Sequence, residues 1–351
     1  MFIYWGIFLI LATGAILNQD TGVIRRRFLF VAFAGIPSAL MIGLRWKIGP
    51  DWGSYADIYH YIALNSLWNA ISHEDPGFYA LNWFFQQFRA PFWYINLACG
   101  VIFTAGLTSF CARQPNPWLA FLVAFPYLVI VVGMSGIRQS AAIGFLFFGL
   151  NQYERGHLVR AVLLMLLGAM FHASAMLMAP LCALSYSRNR LQLVAVFAVL
   201  LFVMWLLFVK SFGVYAVRYS SEKIQSTGIW YRLAMNALPS IIYLNSMRRF
   251  VLDEHSRLLW RNLSIASLAL VPLALILPSN TAVDRFVLYL FPLQSFVLGR
   301  VQSAFGERRQ TSGQLMLLVI AYAAVVQIVF LQFGTYSSFY VPYRSIFQSG
   351  L

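Results

Sequence analysis

The chain has 351 residues, of which 60% are hydrophobic and 10% charged, with a mean hydropathy of +0.71. This composition excludes an ordinary water-soluble domain and predicts one polytopic membrane domain over residues 1–351. The 25 lysines and arginines outnumber the 11 acidic residues and give a net charge of +14. Since this excess lies in short loops that lack a nucleic-acid-binding fold, we expect it to orient the chain in a membrane, with no nucleic acid partner.

Apolar runs follow one another along nearly the whole chain and predict about 12 transmembrane or re-entrant helices. Several runs are shorter than the roughly 20 residues that a perpendicular helix needs, so we expect some segments to be bent or re-entrant. The first run has no basic residues before it, which argues against a cleaved signal peptide. The predicted segments are 2–17, 28–44, 92–110, 117–134, 138–152, 158–172, 173–186, 191–209, 230–247, 262–278, 284–300 and 315–332.

Residues 158–186 allow two interpretations, a single kinked helix or a hairpin of two short segments. A single helix would reverse the orientation of everything that follows and would place the basic loop around Arg248 and Arg249 on the outer face. A hairpin or re-entrant pair keeps this loop in the cytoplasm, as the positive-inside rule requires. The charge pattern therefore favours the hairpin.

The distribution of positive charge predicts the orientation of the chain. Fifteen of the 25 basic residues fall in six short loops on one face, which the positive-inside rule assigns to the cytoplasm, with both termini outside. The other ten lie outside or near outer helix ends, where insertion disfavours them, and this indicates an anionic ligand on the outer face. The six loops contain Arg25, Arg26 and Arg27; Arg113; Arg155 and Arg160; Arg188 and Arg190; Arg248, Arg249, Arg257 and Arg261; and Arg300, Arg308 and Arg309.

Two predicted outer segments are long enough to hold structure of their own, 45–91 and the loop 210–229. The first is rich in aromatic residues, and Phe78, Leu81 and Phe85 recur at helical spacing. This pattern predicts amphipathic helices in the membrane interface. An aromatic belt at the membrane surface is the alternative interpretation for most of these side chains.

The sequence contains no motif for a metal, nucleotide or other cofactor. It has no P-loop, no GxSxG, no HExxH and no cluster of cysteine and histidine, so we expect neither a cofactor nor a metal. The three cysteines, Cys99, Cys111 and Cys182, are interpreted as packing residues because they form no pairing or metal-binding motif.

The first candidate site residues follow the second apolar run, in Arg45-Trp-Lys-Ile-Gly-Pro-Asp51. Gly49 and Pro50 predict a turn, and Asp51 is placed to cap a helix that carries Tyr55. The structural alternative is that Arg45 reaches to the membrane surface and that Asp51 is only a helix cap. An arginine at an outer helix end is disfavoured for insertion, which favours a functional role.

Arg138 and Gln139 interrupt an otherwise apolar stretch from Trp118 to Leu150. An ionisable residue in such surroundings is a candidate site residue, and a guanidinium forms bidentate hydrogen bonds with phosphate oxygens. The alternative is a packing ion pair with a carboxylate such as Asp284.

Three further candidates are expected at outer turns. His172 lies between two apolar segments, where it is either a general base or a hydrogen-bonded structural residue. Asp284 and Arg285 begin a later segment at its outer end and face different directions on a helix, so they need not neutralise each other. Arg285 is either a second ligand for phosphate oxygens or an arginine that reaches to the membrane surface.

The order of these residues resembles the EpsG family, whose members are regarded as Wzy-type polymerases of bacterial exopolysaccharide, capsule or O-antigen. The resemblance spans nearly the whole chain, and its collinearity carries more weight than any one motif. Pro50 departs from the family, where threonine or a small residue often precedes the aspartate. The matching stretches are Arg45-x-x-x-Gly-x-Asp-x-x-x-Tyr55, Pro76-Gly-Phe-Tyr-Ala-Leu-Asn82, Ile137-Arg-Gln-Ser-Ala-Ala142, Phe171-His-Ala-Ser174 and Asp284-Arg285.

The resemblance implies an all-α, GT-C-like protein of a bacterial plasma membrane with interfacial helices and its active site on the outer face. It implies transfer of a growing glycan from polyprenyl pyrophosphate to a second lipid-linked repeat unit. The candidate residues are His172, Asp51 and Asp284 for catalysis; Arg45, Arg138, Arg285 and Arg218 for pyrophosphate; and Gln139, Tyr55, Glu74 and Asp75 for sugar.

The expected partners are polyprenyl-pyrophosphate-linked oligosaccharides and membrane lipids, and a chain-length regulator and a flippase are candidate protein partners. An O-antigen ligase is the alternative enzyme, since it uses the same class of donor. A flippase of lipid-linked oligosaccharides is the alternative from another class. A flippase should have polar residues along a path through the membrane, whereas here they collect at outer helix ends.

Overall fold

The computed structural model describes residues 1–17, 28–186, 198, 226, 228–277 and 279–348. Within these ranges the protein is helical and has no β-strand, apart from an isolated antiparallel bridge between Arg45 and Ser345. The all-α prediction is thereby confirmed. The predicted segment 191–209 lies outside the described residues except for residue 198, and so does the loop 210–229 except for residues 226, 228 and 229.

Fifteen α-helices are described. They are α1 Phe2–Leu17, α2 Ile36–Gly43, α3 Trp52–Ile62, α4 Leu67–Ile71, α5 Pro76–Gln87, α6 Trp93–Cys111, α7 Pro117–Ala124, α8 Ile137–Tyr153, α9 Leu158–Ala169, α10 Met178–Tyr186, α11 Ile229–Ser246, α12 Glu254–Ile276, α13 Thr281–Val287, α14 Pro292–Phe305 and α15 Arg309–Ile328. Wider π-helical stretches precede α2 (Val31–Gly35) and continue α7 (Phe125–Val132) and α15 (Val329–Phe333). Short 3₁₀ turns occupy Ala173–Leu177, Met247–Arg249, Leu288–Leu290, Ser337–Phe339 and Ile346–Gln348.

Local sequence explains where several helices begin. Proline occupies the first turn of α5, α7 and α14, where its missing N–H costs no hydrogen bond. Side chains cap the starts of α4, α7 and α12: Ser66 accepts from the N–H of Asn69, Asn116 from Leu119 and Asp253 from Ser256.

Four helical stretches are long and apolar enough to cross a membrane: Trp93–Cys111, Glu254–Ile276, Thr281–Phe305 and Arg309–Phe333. Five other apolar helices have only 10–17 residues: Phe2–Leu17, Phe28–Gly43, Pro117–Val132, Leu158–Ala169 and Ala173–Tyr186. The described residues therefore form a helical membrane protein, but the predicted count of 12 segments is not supported. The physical reason is length, since these shorter helices fall below the roughly 20 residues of a perpendicular span.

Residues 158–186 form a hairpin, as the charge pattern predicts. Helix α9 ends at Ala169, the chain turns through Met170–His172, and the 3₁₀ turn and α10 return alongside it. The return is complete, because the hydroxyl of Tyr186 at the end of α10 donates to the carbonyl of Gly156, two residues before α9 begins (2.9 Å). This turn places His172 at the opposite end of the bundle from Gly156.

Four of the basic loops meet at one end of the bundle, which we call the basic end. Arg113 pairs with Glu154 (3.6 Å) and Arg249 with Glu307 (3.7 Å). The Arg300 Nε donates to Gln114 (2.8 Å), and this bond joins the loop after α6 to α14. The shared location of these loops agrees with the charge pattern.

The connections at the opposite end, which we call the polar end, carry the sequence motifs. The C-terminal tail folds over this end: the N–H of Trp46 donates to the carbonyl of Arg344 (2.9 Å), and the N–H of Ile346 donates to that of Leu44 (2.9 Å). The hydroxyl of Tyr343 donates to the carbonyl of Met41 (2.9 Å). The tail therefore fixes the loop that follows α2.

Helices α3, α4 and α5 form the first segment outside the long helices. The predicted helical spacing of Phe78, Leu81 and Phe85 is confirmed by α5, with Phe78 fully buried against the bundle and Phe88, just past the helix, 69% exposed. Gln86 on α5 donates to the carbonyl of Tyr59 on α3 (2.8 Å).

A close crossing of two helices positions α8 at the polar end. Helices α6 and α8 meet at Gly106 and Gly144, where a Cβ on Gly106 would lie 2.2 Å from the carbonyl oxygen of Gly144. Only glycine permits this backbone approach, because the smallest side chain would overlap the facing peptide. The crossing holds α8, and therefore the Arg138 in its first turn, against α6.

The orientation of the two ends is testable because each carries an exposed residue. We expect a cysteine at position 60, in α3, to react with a membrane-impermeant maleimide in intact cells, and a cysteine at position 249 to react only after permeabilisation. Both native side chains are exposed, and the native Cys99, Cys111 and Cys182 are buried and so give little background. Labelling at 249 but not at 60 in intact cells would reverse the orientation.

Candidate active site at the polar end

The centre of the polar end is an ion pair between Arg138 and Asp75. The Nη1 of Arg138 donates to Oδ2 of Asp75 at 2.7 Å. The Asp75 side chain is 4% exposed and the Arg138 side chain 27% exposed. The sequence allowed an ion pair of Arg138 with a carboxylate such as Asp284; the structure contains such a pair, and its carboxylate is Asp75.

Asp75 is held by the turn that carries His172. Its Oδ1 accepts from the N–H of Ala173 (3.2 Å), and the N–H of Gly77 donates to the carbonyl of Met170 (2.8 Å). These two bonds clamp the start of α5 onto the α9–α10 hairpin. Burial raises the pKa of Asp75 to about 6, although the Arg138 cation and the Ala173 N–H act in the opposite direction.

Two aromatic rings border the Arg138 guanidinium. Its Cζ lies 5.5 Å from the ring centroid of Tyr55 on α3 and 5.8 Å from that of Phe78 on α5. The two rings contact each other edge to face and are both buried. Cation–π contact stabilises the guanidinium charge. The Nε of Arg138 has no hydrogen-bond partner among the described residues.

His172 lies in the turn between α9 and the 3₁₀ helix that precedes α10. Its Nδ1 accepts from the N–H of Ser174 at 3.4 Å, and its ring centroid is 6.3 Å from that of Tyr289. Burial, with the cations of Arg138 and Arg285, lowers the pKa of His172 to about 3. The imidazole is therefore neutral near pH 7, and the Ser174 bond leaves the proton on Nε2.

Gln139 connects α8 to the start of α13. Its Nε2 donates to the carbonyl of Arg285 (3.1 Å), so Arg138 and Arg285 belong to one part of the molecule. The side chain of Gln139 is used in this contact, and Arg285 is partly exposed.

Asp284 belongs to a second polar cluster that sequence reasoning missed. Arg232, in the first turn of α11, pairs with Asp284 (2.7 Å), and the hydroxyl of Ser226 donates to the other carboxylate oxygen (2.8 Å). Asn280 accepts from the N–H of Ser226 (2.8 Å). The sequence does contain an indication for Arg232, since it is one of the ten basic residues that lie outside the six predicted cytoplasmic loops.

Asp51 does not cap α3 with its side chain, contrary to the sequence expectation. Its Oδ2 accepts instead from the hydroxyl of Ser135, just before α8 (2.8 Å). The reason is the close packing of Gly49, whose φ is +89° and whose Cβ position lies 2.4 Å from the carbonyl oxygen of Met134. This contact turns the carboxylate toward the α7–α8 connection.

Arg45 is buried in the loop that the C-terminal tail covers. Its Nη1 donates to the carbonyl of Ile42 (2.5 Å) and its Nε to that of Ile48 (3.3 Å). Arg45 is 1% exposed, and its Nη2 has no hydrogen-bond partner in the part of the chain that the structure describes. Backbone carbonyls of its own loop therefore hold the Arg45 guanidinium in this structure, and its predicted role in pyrophosphate binding stays a prediction.

Two predicted site residues remain, Glu74 and Arg218. Glu74 precedes Asp75 and is partly exposed, and Arg218 lies outside the described residues. Among the residues that the structure describes, no group of three histidine, cysteine or acidic side chains is arranged to hold a metal ion.

Comparison with known proteins identifies the family. The model of the EpsG family matches residues 28–345, and the chain therefore belongs to the EpsG family. This membership and the apolar helices indicate a membrane protein of polysaccharide biosynthesis. No curated protein and no solved structure matches the chain.

The Arg138–Asp75 pair gives a pH-dependent prediction. The raised pKa means that Asp75 favours folding when protonated, and that this contribution is lost as the pH rises through about 6; Arg138 offsets the loss. We therefore expect Arg138→Leu to destabilise the protein at pH 7.5 by on the order of 3 kcal/mol, and much less at pH 5, where Asp75 is already neutral. Thermal unfolding in detergent at both pH values measures the difference.

Arg249→Leu is the control, because its pair with Glu307 is exposed and a surface pair contributes little at either pH. An equal loss for Arg138→Leu at pH 7.5 and pH 5 would assign the effect to lost packing against Tyr55 and Phe78.

Proposed function

We propose that the protein is a polysaccharide polymerase that joins two lipid-linked saccharides at its polar end. In the reaction, a hydroxyl of the acceptor repeat unit attacks the anomeric carbon of the growing chain. The bond from that carbon to the lipid diphosphate breaks, a new glycosidic bond forms, and the hydroxyl proton passes to a base. The diphosphate leaves with the electron pair of the broken bond, so the reaction needs no external energy source.

The observation that carries the proposal is the convergence of five distant segments. Asp51 contacts Ser135, Asp75 contacts Arg138 and Ala173, and Gln139 contacts the backbone of Arg285. These segments are the ones that resemble the family motifs. A purely structural role would not explain why arginine, histidine and carboxylate groups gather at one end of a bundle whose sequence is 10% charged.

Arg138 is the leading ligand for the diphosphate. It lies in the first turn of α8, where backbone N–H groups and the helix dipole also favour an anion. In the structure Nη1 of Arg138 donates to Asp75, so the diphosphate must compete with this carboxylate for the guanidinium. A diphosphate carries more charge and more acceptor oxygens than one carboxylate, and bidentate contact favours the exchange. Arg285 is the second ligand in the proposal.

Replacement of Asp75 by diphosphate at Arg138 would also change the basicity of the neighbouring side chains. Burial is the main cause of the low pKa of His172, and the cations of Arg138 and Arg285 lower it further. Diphosphate would neutralise part of that positive charge, so the imidazole would become more basic when substrate is bound. The proton would go to Nδ1, whose bond from Ser174 is long at 3.4 Å. Asp75, released from Arg138, and Asp51 are the alternative acceptors; Asp284 is less available because it pairs with Arg232.

The two alternatives predict different polar patterns. A flippase needs a polar path between the two ends, but the deeper side chains Asn236, Gln294 and Tyr322 are uncharged and hydrogen-bond to one another. This closed network favours an enzyme. A ligase would share the diphosphate site and differ in its acceptor, for which Gln139, Tyr55 and Glu74 are the proposed sugar contacts.

The proposal is tested by deleting the gene and complementing it with Arg138 variants. We expect the deletion strain to accumulate single lipid-linked repeat units on the outer face of the membrane. Arg138→Lys and Arg138→Ala should both fail to restore polymer at normal protein level, because an ammonium cannot replace a bidentate guanidinium. Chromatography of the lipid-linked glycans measures both effects.

Arg249→Ala is the matched control, since it removes an exposed arginine at the basic end and should restore full-length polymer. Accumulation on the inner face would indicate a flippase. Intact polymer that is not transferred to its final acceptor would indicate a ligase. If Arg138→Lys makes polymer of wild-type length, only the positive charge at this position is needed and a bidentate contact is not.

The role of His172 is tested by comparing alanine and glutamine. If His172 accepts the hydroxyl proton, His172→Ala should lose roughly 10²–10⁴ in rate while substrate still binds. His172→Gln keeps a hydrogen-bonding group without a base, so it should be equally slow in a reconstituted assay. Near-normal turnover of the glutamine variant would make His172 a structural residue and move the base to Asp51 or Asp75.

A further inference from the structure

A groove between the Val31–Ala39 stretch and α6 lies apart from the polar end. It has a volume of about 500 Å³, and its walls are apolar, with Val31, Ile36 and Val101 at its rim. These three side chains are 45%, 51% and 48% exposed, so the groove opens to the surface of the bundle. In a membrane protein, that surface faces lipid chains.

Small residues keep the groove open. Gly35 and Ala39 line one side and Ala105 the other. A Cβ on Gly35 would lie 2.9 Å from Oγ1 of Thr108 across the groove, so a larger residue there would close its floor. The π-helical stretch Val31–Gly35 forms part of the same wall.

The groove ends at two arginines of the basic end, Arg113 and Arg155. Arg155 is exposed and has no ion pair among the described residues. Arg113 shares the single carboxylate of Glu154, which lies at 3.6 Å and also accepts from Trp260. Arg300 and Asp253 also act on Glu154. The three arginines Arg113, Arg155 and Arg300 therefore outnumber the two carboxylates at this end of the groove.

The length of the groove matches one leaflet. From Val101 to Cys111 the helix rises roughly 15 Å, about half the thickness of a hydrocarbon core, and Arg113 follows just beyond its end. An acyl chain in the groove would therefore place its phosphate beside the arginines. A polyprenyl diphosphate bound at the polar end would have its charged group at the other end of the bundle.

We infer that this groove is a binding site for an anionic phospholipid of the leaflet at the basic end. One acyl chain lies between Val31–Ala39 and α6, and Arg113 and Arg155 bind the phosphate and the negative headgroup. Basic pockets between membrane helices bind anionic headgroups by the same combination of charge and apolar wall. The site is independent of the proposed enzymatic function, since none of its residues contacts Arg138 or His172.

The test is native mass spectrometry of the purified protein with equal amounts of phosphatidylglycerol and phosphatidylcholine. We expect wild-type protein to retain phosphatidylglycerol preferentially. Arg113→Gln/Arg155→Gln should weaken its binding by about tenfold or more, because each arginine contributes separately. Ala105→Phe should reduce retention of both lipids, because the ring fills the groove while Ala105 itself lies outside the core.

Arg160→Gln is the control, an exposed arginine of the same end that does not line the groove, and it should bind like wild type. The single variant Arg155→Gln should fold normally, since Arg155 has no ion pair to lose among the described residues. Unfolding temperatures of all variants show whether each one is folded. Equal retention of the two lipids by wild type would overturn the inference. So would an Arg160→Gln loss as large as that of the double variant, or full phosphatidylglycerol binding by Ala105→Phe.

Discussion

The ion pair of Arg138 and Asp75 joins three parts of the chain that are far apart in sequence. Arg138 lies in α8, Asp75 precedes α5, and the N–H that completes the carboxylate's bonds belongs to Ala173 in the α9–α10 hairpin. A buried carboxylate is costly to desolvate, and breaking its ion pair with Arg138 leaves an uncompensated charge. The polar end therefore has to keep these three segments together, unless another anion replaces Asp75 at the guanidinium.

That requirement explains the construction around the pair. The Gly106–Gly144 crossing fixes α8 against α6, the Gly77–Met170 bond fixes α5 against the hairpin, and Gly49 fixes the first loop against the residues before α8. Each contact is between backbones, so each is rigid. Preorganised groups stabilise a developing negative charge best when they do not have to move during the reaction.

The two ends of the bundle differ in how their arginines are paired with carboxylates. At the polar end, Arg138 and Arg232 each have a carboxylate partner, Asp75 and Asp284, so their charges are balanced within the protein. At the basic end, arginines outnumber acids and Arg155 is exposed without an ion pair among the described residues. Balanced, buried pairs suit a ligand that must compete for its site, whereas exposed arginines suit the permanent negative charge of a lipid surface.

The sequence by itself determined the class of fold and the regions of interest. Apolar runs separated by basic loops specify a helical membrane protein because burial in lipid requires backbone hydrogen bonds within each segment, and the charge pattern identified the hairpin at 158–186. Arg138 and His172 stood out because charge in an apolar stretch is costly. Tertiary structure alone decided the partners. Arg138 pairs with Asp75 rather than with Asp284, which pairs with Arg232 instead. Asp51 accepts from Ser135 instead of capping α3. Side chains tens of residues apart leave no periodic signal of which will meet, because helix packing and backbone approaches at glycine set those distances.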